Sequence, residues 1–227
     1  MPAGHIVALG GGGFMFEDVS PLDDFVLSLA RAPRPRICFL GTASGDSPSW
    51  LDAFFDAFGR RDCEPSHLRL FGAPTDPSRQ LRRQDVIYVG GGNTANMLAV
   101  WRVHGVDRAL REAWGRGSVL AGVSAGANSW FEASVTDSFG PRLGPLRDGL
   151  ALLPGSFCPH YDTEARRRPV FRELARNGFP PGYAADDCAA LWFEGTKLRR
   201  VVASRACARV YKVDADEEVP IEAELLA

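Results

Sequence analysis

Ser118-Val-Leu-Ala-Gly-Val-Ser-Ala-Gly-Ala-Asn128 is the stretch in which an apolar run passes into a Gly-x-Ser-x-Gly sequence. The run has the length and apolar character of a strand buried on both faces, and the residues after Ser124 favour a helix. Gly122 and Gly126 relieve crowding where such a strand turns sharply into a helix. The stretch therefore predicts a nucleophile elbow that exposes the Ser124 hydroxyl, with the Ala125 N–H facing a developing oxyanion.

The same alternation of short apolar runs and longer amphipathic stretches continues on the N-terminal side of this elbow. It predicts an α/β fold, with a mostly parallel sheet flanked by helices, in a single domain over residues 1–227. The predicted strands are His5–Leu9, Arg36–Leu40, Asp85–Val89 and Ser118–Val123, and the predicted helices are Pro21–Arg31, Pro48–Gly59, Asn93–Val103 and Val106–Trp114.

After the elbow, the regular alternation of short apolar runs and amphipathic stretches ends. A short helix to about Glu132 is predicted there, followed by a loop that contains Pro141, Gly144 and Pro145 and by an apolar run, Leu150–Leu153. The remaining predictions are a helix over Glu164–Asn177, closing strands joined by hairpins within Tyr183–Phe193, Arg199–Ser204 and Ala208–Val213, and a solvated acidic tail over Asp214–Glu218.

Charge and composition narrow the class of function. The net charge is −2 at pH 7 and the pI is about 6.1, so we expect neither nucleic acid nor an anionic membrane surface as a partner. The first residues lack a basic, apolar export signal, and the five cysteines are odd in number without a CxxC pair. We therefore expect a cytoplasmic protein with a small-molecule substrate and without a metal or other cofactor; a homodimer is left open.

Two further glycine clusters follow predicted strands. Gly10–Gly13 does not match the dinucleotide-binding fingerprint, because Met15 stands where the last glycine would be required. We interpret it as a flexible loop at the carboxyl edge of the sheet. Gly90–Asn93 precedes a helix, where backbone N–H groups favour an anion or oxyanion, although a tight turn explains the sequence equally well.

A serine nucleophile needs a general base, and the chain has four histidines. His5 and His67 lie near strand starts, and His104 lies at a helix end where a cationic residue is common. His160 follows an apolar run in a turn-like segment, a setting typical of catalytic side chains, although a surface or capping histidine is the alternative. A Cys158/His160 pair is a second nucleophile hypothesis, but it lacks an elbow and an oxyanion hole.

The third group should be a carboxylate that orients the imidazole. Asp186 and Asp187 lie side by side in a largely apolar segment, where a carboxylate is costly to bury unless it is paired. The order serine, histidine, acid along the chain argues against the ordinary α/β-hydrolase fold. The candidates after the elbow are Glu132, Asp137, Asp162, Glu164, Asp186 and Asp187.

These pieces together resemble peptidase E and its relatives, the S51 serine peptidases, which also include cyanophycinases. The resembling segments, in the order of that family, are Gly90–Thr94, Gly122–Asn128, His160–Tyr161 and Asp187–Leu191. The resemblance implies a class I glutamine amidotransferase-like (flavodoxin-like) fold and hydrolysis of small peptides, typically dipeptides with N-terminal aspartate. It also implies a triad of Ser124, His160 and Asp187, and an oxyanion hole formed by Gly91 or Gly92 together with Ala125.

The chain departs from that family at Asp187, where glutamate followed by Gly-Thr-Ala-Leu is usual. Aspartate is one methylene shorter, so its bond to His160 requires a shift of the strand or of the imidazole. Two rival hypotheses are a relative that acts on another acyl substrate or only binds, and a glutamine amidotransferase relative, which would need cysteine in place of Ser124. The substrate-binding residues are unknown from sequence, and guanidinium candidates for a substrate carboxylate are Arg142, Arg147 and Arg166–Arg168.

Overall fold

The computed structural model describes residues 4–17, 19–72 and 76–227. In the first half of the chain, apolar strands alternate with helices, as their sequence periodicity predicts. The strands are β1 (His5–Leu9), β2 (Arg36–Leu40), β3 (Glu64–His67), β4 (Val86–Val89) and β5 (Val119–Val123); the helices are α1 (Pro21–Ser28), α2 (Pro48–Phe58), α3 (Pro77–Leu81), α4 (Thr94–His104) and α5 (Val106–Gly115).

Helix boundaries follow ordinary capping chemistry. Proline opens α1, α2 and α3, where its missing N–H costs no helical hydrogen bond. The Asn93 side chain caps α4 by accepting a hydrogen bond from the Asn96 N–H, and Gly105 ends that helix in the left-handed conformation. The four helices predicted on this side of the elbow are therefore confirmed, each within three residues of its predicted ends.

The second half contains α6 (Ala125–Trp130) and α7 (Arg167–Arg176) between shorter strands. The predicted short helix ends before Glu132, which lies in a strand, and the predicted loop after it contains a strand of its own. The strands are β6 (Phe131–Thr136), β7 (Gly144–Leu146), β8 (Leu153–Cys158), β9 (Gly182–Ala185), β10 (Ala189–Glu194), β11 (Lys197–Ala203), β12 (Val210–Val213), β13 (Glu218–Ile221) and β14 (Glu224–Leu225).

The strands form two sheets. The first has eight strands in the order β14-β11-β10-β1-β5-β4-β2-β3, and its five strands from β1 to β3 in this order are parallel. The second has six strands in the order β13-β12-β9-β8-β6-β7, with β6, β8 and β9 parallel. This architecture confirms the predicted α/β fold with mostly parallel strands flanked by helices; a single domain stays a prediction.

Two predictions about the C-terminal part are wrong. The Tyr183–Phe193 segment was expected to belong to one set of hairpin-joined strands, but β9 lies in the second sheet and β10 in the first. The β10–β11 hairpin does form, whereas β12 pairs with β9 and β13. The acidic segment is no tail, because Asp214 caps a tight turn and Glu218 begins β13 with a largely buried carboxylate.

Large apolar side chains fill both faces of the first sheet. On one face, an aromatic group formed by Phe14, Phe39, Trp50, Phe54 and Tyr88 makes edge-to-face and stacked contacts at centroid distances of 5.0–6.4 Å. Within the described ranges, no helix is both long enough and apolar enough to cross a lipid bilayer.

Candidate active site

Ser124 lies in a strained turn between β5 and α6. Its φ is 55° and its ψ is −111°, a conformation that costs a non-glycine residue about 1–3 kcal/mol. The backbone holds it from both sides, because the Ser124 N–H donates to the Leu9 carbonyl at 3.1 Å and the Asn128 N–H donates to the Ser124 carbonyl at 2.9 Å. The predicted strand, sharp turn and helix are all present around this serine.

The two glycines beside Ser124 are required by packing. A Cβ on Gly122 would lie 2.5 Å from the Gly126 carbonyl carbon, and a Cβ on Gly126 would lie 2.4 Å from the Val89 carbonyl oxygen. Real Cβ atoms do not approach backbone so closely, so any larger residue would push α6 away from the sheet. The Gly-x-Ser-x-Gly spacing thus allows α6 to begin directly against β4 and β5.

His160 comes to the same place from the second sheet, two residues after the end of β8. It also has a positive φ, 52°, and its backbone N–H donates to the Gly10 carbonyl at 3.3 Å. This turn directs the imidazole toward the elbow, where His160 Nε2 lies 2.8 Å from Ser124 Oγ. The side chain of His160 is 15% exposed, so the imidazole is largely buried but still reaches the surface.

Asp187 completes a continuous chain of hydrogen bonds. Its Oδ1 lies 2.6 Å from His160 Nδ1, and its Oδ2 accepts a hydrogen bond from the Thr163 hydroxyl at 2.9 Å. The Asp187 N–H donates to the Asp162 carboxylate at 2.9 Å. Partial burial alone would raise the pKa of Asp187, but the hydrogen bond and charge of His160, with the Thr163 bond, lower it below the ordinary value.

The first glycine cluster has a steric role that its interpretation as a flexible loop missed. A Cβ on Gly11 would stand 2.0 Å from Asp187 Oδ1 and 2.9 Å from His160 Nδ1. The Gly11 carbonyl accepts a hydrogen bond from the Cys188 N–H at 3.1 Å, so the loop is fixed against the segment that carries Asp187. The missing side chain at Gly11 makes room for the short aspartate to reach the imidazole.

The predicted oxyanion-hole residues surround Ser124 unequally. Ala125 is the first residue of α6, where N–H groups have no partner inside the helix. A Cβ on Gly91 would lie 3.4 Å from Ser124 Cβ, which puts the Gly91 backbone against the serine. Gly92 has a φ of 132°, and a Cβ there would meet the Ala43 carbonyl oxygen at 2.2 Å instead.

The competing carboxylates point elsewhere. Asp186 Oδ2 accepts a hydrogen bond from the Arg209 N–H at 2.9 Å, and burial raises its pKa to about 6. Glu132 accepts from the Gly155 N–H at 3.0 Å, and Asp137 lines a cavity with Glu164. Among the carboxylates of the described ranges, only that of Asp187 is hydrogen-bonded to His160.

The alternative nucleophile, Cys158, is unsuitable. Its side chain is fully buried in β8, and burial raises the pKa of the thiol to about 12. The imidazole of His160 is turned toward Ser124 instead. Within the part of the chain that is described, no three His, Cys, Asp or Glu side chains are arranged to hold a metal ion.

Sequence reasoning did not single out Thr163, and it considered Asp162 only as a possible triad acid. Both residues directly follow the His160 turn in the chain. Each is hydrogen-bonded to Asp187, which lies 24 residues beyond Thr163 and 25 beyond Asp162. The signal available in the sequence was their adjacency to the candidate histidine, since one tight turn exposes several consecutive polar side chains to the same neighbour.

Several relatives match this chain over much of its length. An uncharacterized peptidase, YgaJ, of Bacillus subtilis (strain 168) is 50% identical over 229 residues, covering 98% of this chain and 99% of that protein. Peptidase E of Shewanella denitrificans is 31% identical over 135 residues, covering 56% and 57% of the two chains. These similarities agree with the resemblance drawn from the sequence motifs.

A solved structure shares the fold. The crystal structure of a peptidase from an acI-B1 Actinobacterium superposes with a TM-score of 0.77 at 18% sequence identity, covering 98% of this chain and 95% of that one. The model of peptidase family S51 matches residues 6–201, a range that contains Ser124, His160 and Asp187. The chain therefore belongs to peptidase family S51 and is a hydrolase.

Proposed function

We propose that this hydrolase is a serine peptidase of the peptidase E type, acting on small peptides such as dipeptides through Ser124, His160 and Asp187. The observation that carries the proposal is the unbroken hydrogen-bonded chain from Ser124 Oγ through the imidazole to Asp187, with spacings of 2.8 and 2.6 Å. A general base within such reach can accept the proton of an attacking hydroxyl.

In this mechanism His160 Nε2 takes the hydroxyl proton as Ser124 Oγ bonds to the peptide carbonyl carbon. The carbonyl electron pair moves to oxygen, where the N–H groups of Gly91 and Ala125 stabilise it. Collapse of this intermediate breaks the C–N bond, and the imidazolium gives its proton to the departing amine. Water, deprotonated by the same imidazole, then attacks the acyl ester and releases Ser124.

Asp187 holds the imidazole so that Nε2 is free to accept the serine proton. The short side chain is compatible with this role because Gly11 leaves its neighbouring space empty and Thr163 fixes the second carboxylate oxygen. The replacement of the glutamate usual in the family is thus accommodated by local packing, without displacement of His160 from Ser124.

The test uses a fluorophosphonate probe and a dipeptide panel on wild type, Ser124→Ala and His160→Ala. Both variants should lose about 10⁴-fold or more of turnover while retaining their circular dichroism spectra, because removing a nucleophile or base leaves the fold intact. Ser78→Ala, in α3, is the matched control and should label and hydrolyse like wild type. Labelling or hydrolysis that persists in Ser124→Ala would exclude this serine as the nucleophile.

A further inference from the structure

An aromatic side chain lies next to Ser124 on the first-sheet side. A Cβ placed on Gly91 would be 3.3 Å from Trp50 Cη2 and 3.4 Å from Ser124 Cβ. The indole edge and the serine therefore flank the same glycine and are no farther apart than about two van der Waals contacts. An acyl group bound to Ser124 Oγ would lie within reach of the indole.

The indole is held in a fixed position. Trp50 stacks on Phe39 with an interplanar angle of 8° and a centroid distance of 6.4 Å, and it meets Phe14 edge to face at 6.2 Å. The residue as a whole is half-buried, not fully enclosed. A Cβ on Gly90 would lie 2.9 Å from the Phe39 ring and 3.4 Å from Trp50, so the absence of side chains at Gly90 and Gly91 lets the aromatic rings approach.

Three of the five guanidinium groups proposed from sequence to bind a substrate carboxylate, those of Arg147, Arg167 and Arg168, have partners elsewhere. Arg167 is 3% exposed and donates to the Val135 carbonyl and to Glu164. Arg168 pairs with Glu218 and lies over the rings of Tyr161 and Tyr211, and Arg147 lies over the ring of Phe179.

Two other arginines, Arg166 and Arg205, lie near carboxylates of the protein itself. Arg166 lines a cavity together with Asp137 and Glu164. Arg205 acts on the triad acid itself, where it helps to lower the pKa of Asp187. Trp50 is the aromatic side chain that, with Ser124, flanks Gly91, and an indole favours an apolar side chain over a carboxylate.

We propose that Trp50 forms the wall of a subsite that binds an apolar side chain on the acyl side of the scissile bond. The acyl side is chosen because the acyl group stays attached to Ser124 through both half-reactions, beside the ring. This inference rests on the proposed serine mechanism for its catalytic readout, and it separates the substrate preference of this chain from that of aspartyl dipeptidases.

The kinetic test compares p-nitrophenyl acetate with p-nitrophenyl hexanoate, which share a leaving group and differ in apolar acyl length. Wild type should show the higher kcat/KM with the hexanoate, and Trp50→Ala should reduce the hexanoate-to-acetate ratio about tenfold. Trp50→Phe keeps an aromatic wall and should retain most of the ratio. Phe55→Ala removes an exposed aromatic ring from the same helix and should leave the ratio unchanged.

A binding test gives the preference without turnover. Calorimetric titration of the Ser124→Ala protein with Leu-Leu and Asp-Leu should show tighter binding of Leu-Leu by about tenfold. Adding Trp50→Phe should preserve this difference, and adding Trp50→Ala should abolish it. Thermal denaturation identifies any variant whose folding is impaired, and Trp50→Leu then replaces Trp50→Ala as the variant without an aromatic ring.

The outcomes separate the two proposals. An unchanged acyl ratio in a folded Trp50→Ala variant, or preferential binding of Asp-Leu, would overturn the apolar subsite while leaving the serine mechanism intact. Fluorophosphonate labelling that does not depend on Ser124 would overturn the mechanism, whereas the calorimetric preference for Leu-Leu would still support the subsite.

Discussion

The two sheets of this molecule are specified in different ways. Strands β1, β4 and β5 of the eight-stranded sheet are apolar along almost their entire length, and four or more residues of each are buried. Strands β6, β8 and β12 of the six-stranded sheet mix apolar with polar residues and glycine. Local pattern alone specifies these central strands of the first sheet, whereas tertiary contacts decide which strands join the second.

The candidate triad lies where the chain passes between the two sheets. Ser124 stands where it leaves the first sheet toward β6, and Asp187 stands where it returns from β9 to β10. His160 follows β8 in the second sheet. Substitutions can therefore separate the contributions of the two sheets or disrupt the contact between them.

The largest effect is expected from Asp187→Asn, which leaves both sheets intact but changes the carboxylate between β9 and β10. The amide would favour the wrong imidazole tautomer, so kcat should fall about 10³–10⁴-fold with little change in the melting temperature. Asp186→Asn is the matched control, because the Asp186 carboxylate bonds to the Arg209 N–H instead. A loss confined to Asp186→Asn would show that the wrong carboxylate has been assigned to His160.

The next largest effect is expected from Gly11→Ala. This substitution places a methyl group between the loop after β1 and the segment between β9 and β10 that carries Asp187. Its Cβ would stand 2.0 Å from Asp187 Oδ1, so the carboxylate must leave the imidazole and kcat/KM should fall about 100-fold. Gly115→Ala serves as the control, since a Cβ there would meet no atom within 4 Å. Equal activity of the two variants would contradict the tight packing of Gly11.

A third change probes the first sheet alone. Asp23 is fully buried below Tyr88, and burial raises its pKa from 3.8 to about 7. Because the folded state holds this proton more tightly than the unfolded state, Asp23 opposes folding increasingly as the pH rises from about 4 to 7. Asp23→Asn should therefore add up to about 4 kcal/mol to the free energy of unfolding at pH 8 and little at pH 4.

Urea denaturation at the two pH values measures this difference, with Asp52→Asn, exposed in α2, as the control. A benefit of Asp23→Asn that is the same at both pH values would show that Asp23 does not titrate in this range. Activity should be unaffected at either pH, which would distinguish this buried carboxyl from those near Ser124.

The smallest effect is expected from Thr163→Val, which removes one hydrogen bond on the second-sheet side. The loss of about 1 kcal/mol corresponds to a fall of about five- to tenfold in kcat. The pKa of Asp187 should rise toward its ordinary value, which NMR titration of the labelled carboxylate measures directly. Thr163→Ser keeps the hydroxyl and should restore both kcat and this pKa; an unchanged pKa of Asp187 in Thr163→Val would argue against a role of Thr163 in orienting the carboxylate.

The contrast between the sheets also explains how far sequence reasoning reached. The buried strands, the elbow at Ser124 and the candidate base His160 follow from local patterns, whereas the choice of Asp187 among six carboxylates followed from the resemblance to family S51. The division of Tyr183–Phe193 between two sheets does not, because its apolar residues continue on both sides of Asp186 and Asp187. The turn there depends on Cys188 at a φ of 66° and on its bond to Gly11, both set by distant residues.

Glycine packing shows the same limit. Gly122 and Gly126 could be interpreted because their spacing belongs to a known turn, whereas Gly11 is explained only by the position of Asp187. The sequence predicts an acidic tail that includes Glu218 for a similar reason. The residues that bind its carboxylate, Tyr161 and Arg168, lie at least 50 residues away in the sequence.

The pairing of β1 with β10 determines when, during synthesis of the chain, the first sheet and the site can be completed. β1 is synthesised first, yet one of its two neighbours, β10, becomes available only after residue 188 has been added. Until then, one edge of β1 is open, and in a chain that ends before residue 187 the imidazole also lacks Asp187. A ribosome-bound chain that ends before this point would contain Ser124 and His160 but should react slowly with a serine-directed probe. Reactivity would thus appear late in translation and report that the two sheets have joined.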